Sequence, residues 1–345
     1  MKNLKTIFGI ITLILFSCSK KDDAPANTTT NNGSPDIYIT SREATSVPSS
    51  INSTLKIYKN GVPTIFSDGV FQFPTDITVS GSDVYIVGTI GVDTYTSGKA
   101  VLWKNNTAII LASSLKAGTS AKAVTVVGND VYVAGEVFDG TSQSIPTLWK
   151  NGIASNPTDV DKGFIEDMAV VGNDVYVVGA GADNVAKYWK NGVPTIIGAG
   201  VGTNSIVVTN NDVYVCGNFT KPLGRVSCYW KNGVLNQLSD GNNDSVTNDI
   251  ILIGSDVYVI GNEQNNNGSG FEAKLWKNGS TVFFANASNI NFSKMFVKDN
   301  DLYIVGYESS GIGTKKVAKY WKNGVPTNIV SDAVVSPTPY NIYVK

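Results

Sequence analysis

One four-residue string, Trp-Lys-Asn-Gly or a close variant, recurs along the chain at intervals of 40 to 46 residues. The copies begin at Tyr58, Trp103, Trp149, Trp189, Trp230, Trp276 and Trp321. A second string, Asp-Val-Tyr-Val or a variant, alternates with the first, and its copies begin at Asp36, Asp83, Asp130, Asp174, Asp212, Asp256 and Asp301. Repetition at this period is typical of folds that place copies of one small unit side by side.

A single repeat, residues 167–197, contains four short apolar runs separated by turn residues. The runs predict strand A (Met168–Val171), strand B (Val175–Val178), strand C (Ala186–Trp189) and strand D (Val193–Ile197). Asn-Gly between C and D accepts the positive φ of a tight hairpin turn, and Gly-Asn-Asp between A and B is nearly as short. The pattern therefore predicts an antiparallel four-stranded meander.

Such a small sheet carries apolar residues on both faces, and radial stacking of seven copies buries them. The repeats predict an all-β fold, a seven-bladed β-propeller of four-stranded antiparallel blades over residues 35–345. The layout resembles kelch-type repeats, with the double glycine of kelch reduced to one. These single glycines are Gly88, Gly135, Gly179, Gly217, Gly261 and Gly306. The resemblance is architectural and implies no function.

The two ends of the chain are predicted to share one blade, which would leave no exposed sheet edge. The N-terminal part supplies B, C and D runs at Ile37–Thr40, Leu55–Lys59 and Val62–Phe66, but no A run. The C-terminal part supplies an A-like run, Ala333–Val335, and a second B-like run, Ile342–Val344. The pattern leaves open which B-like run lies in the sheet.

The N-terminus has the pattern of an export signal. Lys2 and Lys5 precede the mostly apolar residues 7–16, which are too few for a membrane span of roughly 20 residues. We predict a signal peptide over residues 1–17. Residues 15–18 resemble a bacterial lipobox, in which Cys18 is acylated, and the charged residues that follow resemble the surface-export signal of Bacteroidota lipoproteins. The resemblance implies an outward-facing outer-membrane lipoprotein.

Residues 18–34 contain no large apolar side chain and are predicted to form a flexible tether. In this interpretation the protein meets the membrane through its lipid anchor only. The alternative is an ordinary secreted protein that is cleaved before a chance cysteine.

Composition excludes several functions. The net charge is −1 and the pI about 5.6, so the chain lacks the basic surface that nucleic acid requires. It contains no histidine, which removes the commonest general base and the commonest zinc ligand. Nucleic-acid binding is therefore not expected, and many enzyme classes are disfavoured.

The loops differ in how much they vary between repeats. The A–B and C–D turns are short and nearly identical, whereas the B–C and D–A connections vary in length and composition. In a meander these variable connections lie on one face, and we predict the functional surface there. The repeated tryptophans are interpreted as packing residues, with sugar stacking as the alternative, and the lysine after each aromatic as a solvated residue.

Three aspartates, Asp76, Asp167 and Asp249, each lie seven residues before the aspartate of the next B strand. Asp332 is the candidate for the composite blade. The remaining blades have Ala123, Ser205 and Lys294 at this position. Carboxylates that converge on the channel could bind Ca²⁺. The alternative is that each aspartate accepts hydrogen bonds from nearby backbone amides.

Two cysteines, Cys216 in strand B and Cys228 in strand C, belong to one blade. Neighbouring strands and an oxidising compartment favour a disulfide between them. The alternative is a pair of buried free thiols.

The function that these features favour is a monomeric binding module on the cell surface, with an extracellular glycan or protein as ligand. Neither ligand-binding nor catalytic residues are assigned, and no cofactor other than Ca²⁺ is considered. One alternative is an enzyme that acts on polysaccharide through loop carboxylates at Asp159, Asp161, Glu166 and Asp167. Another is a structural surface protein without a specific ligand.

Overall fold

The computed structural model of the protein describes residues 33–44, 52–70, 72–91, 98–111, 118–138, 140, 144–159, 162–265, 270–282, 289–309, 316–329 and 337–345. The chain divides into two units, Met1–Ser34 and Pro35–Lys345. The predicted signal peptide, Cys18, most of the predicted tether, Asp161 and Asp332 lie outside the described residues.

The second unit consists of seven four-stranded sheets, each one blade. Blade 1 contains β1 (Ile37–Ala44), β2 (Asn52–Lys59) and β3 (Val62–Val70), with a fourth strand from the C-terminus. Blade 2 contains β4 (Gln72–Ser80), β5 (Asp83–Ile90), β6 (Lys99–Lys104) and β7 (Thr107–Ile110). Blade 3 contains β8 (Thr119–Val127), β9 (Asp130–Phe138), β10 (Ser144–Lys150) and β11 (Ile153–Ser155). Blade 4 contains β12 (Gly163–Val171), β13 (Asp174–Gly181), β14 (Val185–Lys190) and β15 (Val193–Ala199).

The remaining blades repeat this order. Blade 5 contains β16 (Val201–Thr209), β17 (Asp212–Lys221), β18 (Gly224–Lys231) and β19 (Val234–Gln237). Blade 6 contains β20 (Ser245–Ile253), β21 (Asp256–Gln264), β22 (Phe271–Lys277) and β23 (Ser280–Val282). Blade 7 contains β24 (Ile290–Lys298), β25 (Asp301–Ser309), β26 (Lys316–Lys322) and β27 (Val325–Asn328). The last strand, β28 (Thr338–Val344), completes blade 1.

The blades form a closed ring. The first strand of each blade contacts the first strand of the next, in the order β4, β8, β12, β16, β20, β24, β28 and back to β4. These inner strands surround a central channel, and every strand pair within a blade is antiparallel. The predicted seven-bladed β-propeller is confirmed. Within the described ranges no helix is long and apolar enough to cross a membrane.

The composite blade closes the ring in a way that the sequence left open. β28 pairs with β1, with Ile37 opposite Val344. Asp36 and Lys345 exchange backbone hydrogen bonds of 3.1 and 2.9 Å. Both B-like runs therefore lie in the sheet, and the second one occupies the inner, A-strand position. Ala333–Val335, the predicted A run, lies outside the described residues.

The core lies between neighbouring blades. One cluster, for example, joins Leu55 and Ile57 of blade 1 to Ile77, Ile86 and Trp103 of blade 2. All six repeated tryptophans are at most 3% exposed, and the equivalent Tyr58 is 1% exposed. The interpretation of these aromatics as packing residues is confirmed.

The tight-turn end of each blade carries one hydrogen-bonded motif. In blade 2, Asp83 Oδ1 accepts a bond from Asn105 Nδ2 (2.6 Å), and Asp83 Oδ2 pairs with Lys104 Nζ (2.8 Å). Asn105 adopts φ 46° and accepts a bond from the backbone N–H of Val84 (2.9 Å). The Lys104 ammonium also lies over the Tyr85 ring. The lysine predicted to be merely solvated is thus an ion-pair partner, and the same set recurs in all seven blades.

Candidate functional site

Each inner strand contains a β-bulge near its beginning. In blade 4, Ile165 pairs with Gly179 and Asp167 with Val178, so Glu166 is the extra residue. The same shift occurs in every blade, and the bulged residues are Thr75, Lys122, Glu166, Asn204, Asn248, Ser293 and Tyr340. A bulge redirects side chains locally, so the bulged residue and the residue after it can both face the channel.

The repeated glycines lie opposite these bulges. A Cβ on Gly179 would lie 1.9 Å from the carbonyl oxygen of Phe164 in the bulged strand. The other five glycines face a carbonyl oxygen at 2.0 to 2.1 Å in the same way. Blade 1 has Ser41 at this position, where its hydroxyl donates to the Thr338 carbonyl oxygen. The single glycine per repeat therefore marks a close approach of two backbones.

The bulged residues line a cavity of about 560 Å³ at the end of the channel where the inner strands begin. We call this cavity and its lining the channel site. Besides the seven bulged residues, it is lined by Phe73, Pro74, Asp76, Asp167, Thr203 and Lys294. Because adjacent strands are antiparallel, the B–C and D–A connections lie at this same end.

The chemistry of the lining differs from one side of the channel site to another. Blades 1 and 2 contribute the aromatic rings of Tyr340 and Phe73, and Arg42 Cζ lies 4.3 Å from the centroid of the Phe73 ring. Blades 3 and 4 contribute the charged side chains of Lys122 and Glu166. Blades 5 to 7 contribute two amides, two hydroxyls and the ammonium group of Lys294. The repeated backbone thus presents an irregular set of functional groups.

Four bulged residues also connect neighbouring blades. Thr75 Oγ1 donates to the carbonyl oxygen of Ala121 (2.9 Å), and Ser293 Oγ donates to that of Pro339 (3.0 Å). The amide nitrogens of Asn204 and Asn248 donate to carbonyl oxygens in the next blade. Each asparagine keeps its oxygen Oδ1 without a partner among the described residues. All four side chains therefore stabilise the contacts between blades, and each of the two asparagines also keeps one acceptor oxygen.

The predicted aspartates do lie at equivalent positions beside the channel. Asp167 Oδ1 accepts a bond from the amide of Met168 (2.8 Å), and its Oδ2 accepts bonds from Ser205 Oγ (2.7 Å) and the amide of Ile206 (3.1 Å). Asp76 bonds the amides of Ile77 and Val124 in the same pattern. Each carboxylate thus joins its own strand to the inner strand of the next blade.

Asp249 follows this pattern too. Its Oδ2 accepts a bond from the Met295 amide (2.7 Å), and its Oδ1 pairs with Lys294 Nζ (3.3 Å). Asp249 Oδ1 also lies 2.8 Å from Ser205 Oγ, whose one hydroxyl hydrogen is donated either to Asp249 or to Asp167. Nearby carboxylates hold the pKa of Lys294 above its usual value, although burial alone would lower it. Burial raises the pKa of Asp76 to about 7.

The assignment of Asp332 to the composite blade is corrected. Asn341 in β28 has the equivalent register, since it directly follows the bulged Tyr340. Asn341 Oδ1 accepts a bond from its neighbour Ile342, and its Nδ2 donates to Asp76 Oδ1 at 2.7 Å. Sequence spacing does not identify this residue, because Ile342–Val344 has the pattern of a B strand although it lies in the A-strand position.

These contacts favour the amide-bonding interpretation of the aspartates over the calcium hypothesis. Among the described residues, no group of three or more Asp, Glu, His or Cys side chains is arranged to hold a metal ion. The carboxylate oxygens of Asp76, Asp167 and Asp249 already accept backbone or side-chain hydrogen bonds.

One lysine lies between two glutamates beside the channel. Lys122 Nζ is 3.9 Å from Glu136 Oε1 and 3.7 Å from Glu166 Oε2. Burial raises the pKa of Glu136 to about 7 and also raises that of Glu166, against the effect of Lys122. The side chains of Lys122 and Glu166 keep 30% and 34% of their surface exposed, so both are accessible from the cavity.

The other predicted acidic residues are separated. Glu166 and Asp167 line the channel site, whereas Asp159 accepts a bond from the indole Nε1 of the buried Trp189. Of the three loop carboxylates that the structure describes, only Glu166 and Asp167 line the channel site.

The predicted disulfide is not formed. Cys216 lies opposite Tyr229, and Cys228 lies opposite Gly217, one residue further along the strand. Successive residues of a strand point to opposite faces, so the two thiols belong to different inter-blade cores. Both are buried and free. Burial raises both pKa values, that of Cys216 to about 12.

No protein-family model and no curated protein matches the chain. Several solved structures are similar in fold. An acylaminoacyl peptidase from Pyrococcus horikoshii has a TM-score of 0.45 and 10% identity over 81% of this chain and 48% of that one. The chain therefore spans about half the length of that peptidase.

Two further structures are similar over most of their length. The β-propeller domain of the trilobed protease from Pyrococcus furiosus has a TM-score of 0.48 and 8% identity, covering 82% of this chain and 88% of that one. A quinoprotein alcohol dehydrogenase-like protein from Bacteroides thetaiotaomicron has a TM-score of 0.50 and 9% identity, covering 89% and 77%. At such identities the likeness shows the β-propeller fold alone.

Proposed function

We propose that the protein is a binding module that takes an extracellular glycan or protein segment at the channel site. The observation that supports the proposal is that the bulges repeat one backbone geometry while the side chains that they carry differ. Seven equivalent bulges hold seven side chains at one end of the channel, and their identities range from lysine and glutamate to tyrosine. Concave sites with a few convergent polar groups are where small ligands usually bind.

The N-terminal pattern supports a location for this activity. Acylation of Cys18 would anchor the protein to the outer membrane, with the propeller displayed outside the cell and no contact with nucleic acid. We expect the mature full chain to carry a lipid. Mass spectrometry of the protein purified from its membrane fraction would detect the lipid, and an unmodified chain cleaved before Cys18 would contradict it.

Two variants that fill the channel site from different sides test the proposed function. Glu166→Trp adds bulk from blade 4 and Ser293→Trp from blade 7, both within the lining. The detergent-purified full chain is screened against glycan and protein arrays. We expect the bound ligands to be lost with both variants and kept with the control Ile153→Trp, which lies on an outer strand at 76% exposure. Ligands that survive both variants would contradict a channel site.

An enzyme acting on polysaccharide is the second candidate, and one observation favours it. Glu136 and Glu166 share a single lysine beside the cavity, and both have raised pKa values. A carboxyl group that stays protonated near neutral pH can serve as a general acid. Product analysis of any glycan that binds would separate the two candidates, since a binding module leaves it intact.

A further inference from the structure

The dimensions of the channel site restrict its ligand. This inference rests on the proposed function and concerns the class of ligand. A volume of about 560 Å³ lies within the range of pockets for small molecules, roughly 300 to 1,000 Å³. A folded protein partner would need an interface of about 800 Å² on each side. The channel site therefore suits a small ligand, or the end of a polymer chain, better than the surface of a folded protein.

The charges of the channel site favour an uncharged ligand. Asp76 and Asp167 at its inner end accept backbone amides, and Lys294 lies near the carboxylates. Glu166 is close to Lys122. An anionic ligand would be repelled by the carboxylates of Asp76 and Asp167. A cationic ligand would compete with Lys122 and Lys294 for the carboxylates with which these lysines already pair. Each charged group of the lining therefore already has a hydrogen-bond or ion-pair partner within the protein.

The polar groups of the channel site both donate and accept hydrogen bonds. Lys122 is a donor, Glu166 is an acceptor, and Asn204 and Asn248 each have an oxygen without a partner among the described residues. Hydroxyl groups match such a mixture because each one donates and accepts. On the opposite side, Tyr340 provides an aromatic ring with an apolar body and a polar tip.

We propose that the channel site binds the neutral terminal sugar unit of a glycan. The apolar face of the sugar ring lies against Tyr340. Its hydroxyl edge faces Lys122, Glu166 and the asparagine oxygens. The glycan chain leaves the cavity on the side of the B–C and D–A connections.

Calorimetry on the detergent-purified full chain tests this ligand class. The probes are neutral mono- and disaccharides, the corresponding uronic acids, and unstructured neutral peptides. We expect heat from a neutral saccharide, weaker binding of its uronic acid, and none from the peptides. Channel-dependent binding of peptides alone would overturn the saccharide inference and leave the proposed function standing. Heat from no probe, together with array ligands that survive both filling variants, would overturn both.

Two substitutions locate the sugar. Tyr340→Ala and Lys122→Gln should each weaken saccharide binding by about tenfold or more, because they remove the aromatic contact and a charged donor. Lys104→Gln, at the tight-turn end of blade 2, is the matched control. Tyr340→Trp, which keeps an aromatic ring, should retain binding if Tyr340→Ala fails to fold. Unchanged affinity in Lys122→Gln and in the folded Tyr340 variants would overturn the inference.

Discussion

Glu136 shows how one buried side chain makes stability depend on pH. Its carboxyl group is almost completely buried in blade 3 beside Lys122 and next to the channel. Burial raises its pKa from the ordinary 4.5 to about 7. Between these values the folded protein holds a proton that the unfolded chain releases. Stability is therefore greatest below the unfolded pKa and falls as the pH rises through 7.

We predict that Glu136→Gln reduces this pH dependence. The neutral amide imitates the protonated acid, so the loss of unfolding free energy between pH 5 and 8 should shrink by roughly 1 to 3 kcal/mol. Urea unfolding at several pH values measures the change, and Asp183→Asn in an exposed loop is the control. An unaltered slope would contradict the effect of burial on Glu136.

Asp167 provides a prediction about the contacts between blades. Asp167→Ala removes acceptors for Met168, Ser205 and Ile206, and buried donors left without a partner cost about 1 to 3 kcal/mol each. We expect urea unfolding to show a loss of at least that size, and a much smaller one for Asp183→Ala, whose single bond to the Val185 amide is exposed. Calcium should not shift the midpoint of the wild-type protein. A calcium-dependent increase that Asp167→Ala abolishes would restore the calcium hypothesis.

At the scale of the elements, the bulge and its facing glycine form one unit. Gly179→Ala places a methyl group against the Phe164 carbonyl oxygen, which neither backbone can avoid without moving. We predict a loss of several kcal/mol, about the size of other severe packing defects, or failure to fold. Gly198→Ala in the same blade meets only side-chain atoms at 3.7 Å or more and serves as the control. Equal stabilities of Gly179→Ala and Gly198→Ala in thermal unfolding would show that the backbone moves to accommodate the added methyl group.

The repeats made the blades predictable, whereas the channel site was only partly so. Turn residues and apolar runs gave the strand order because hairpin geometry is local. The bulges escaped because the predicted strand A begins at Met168, after the bulge, whereas the strand in the structure begins at Gly163. A signal was present: a polar residue such as Glu166 or Asn204 interrupts each inner strand at one position. The pairing of Cys216 and Cys228 was wrong because strand proximity does not specify which face a side chain occupies.

At the scale of the whole molecule, the ring depends on the strand that joins its ends. β28 is the inner strand of blade 1 and contacts the inner strands of blades 7 and 2. We predict that a chain ending at residue 336 loses cooperative unfolding, since two of the contacts between inner strands disappear. Near-ultraviolet circular dichroism with urea titration would detect this loss. A chain beginning at Pro35 keeps every strand and should unfold as the full chain does.

The seven bulges separate residues that hold the ring together from others that line its cavity. Glu166 and Tyr340 stand on the same repeated bulge as Thr75 and Ser293, but neither side chain donates a hydrogen bond to a carbonyl oxygen of the next blade among the described residues. Such positions can be randomised while the scaffold stays constant. A library built at these two sites would yield receptors of new specificity from one framework, with the stability of each member decided elsewhere in the chain.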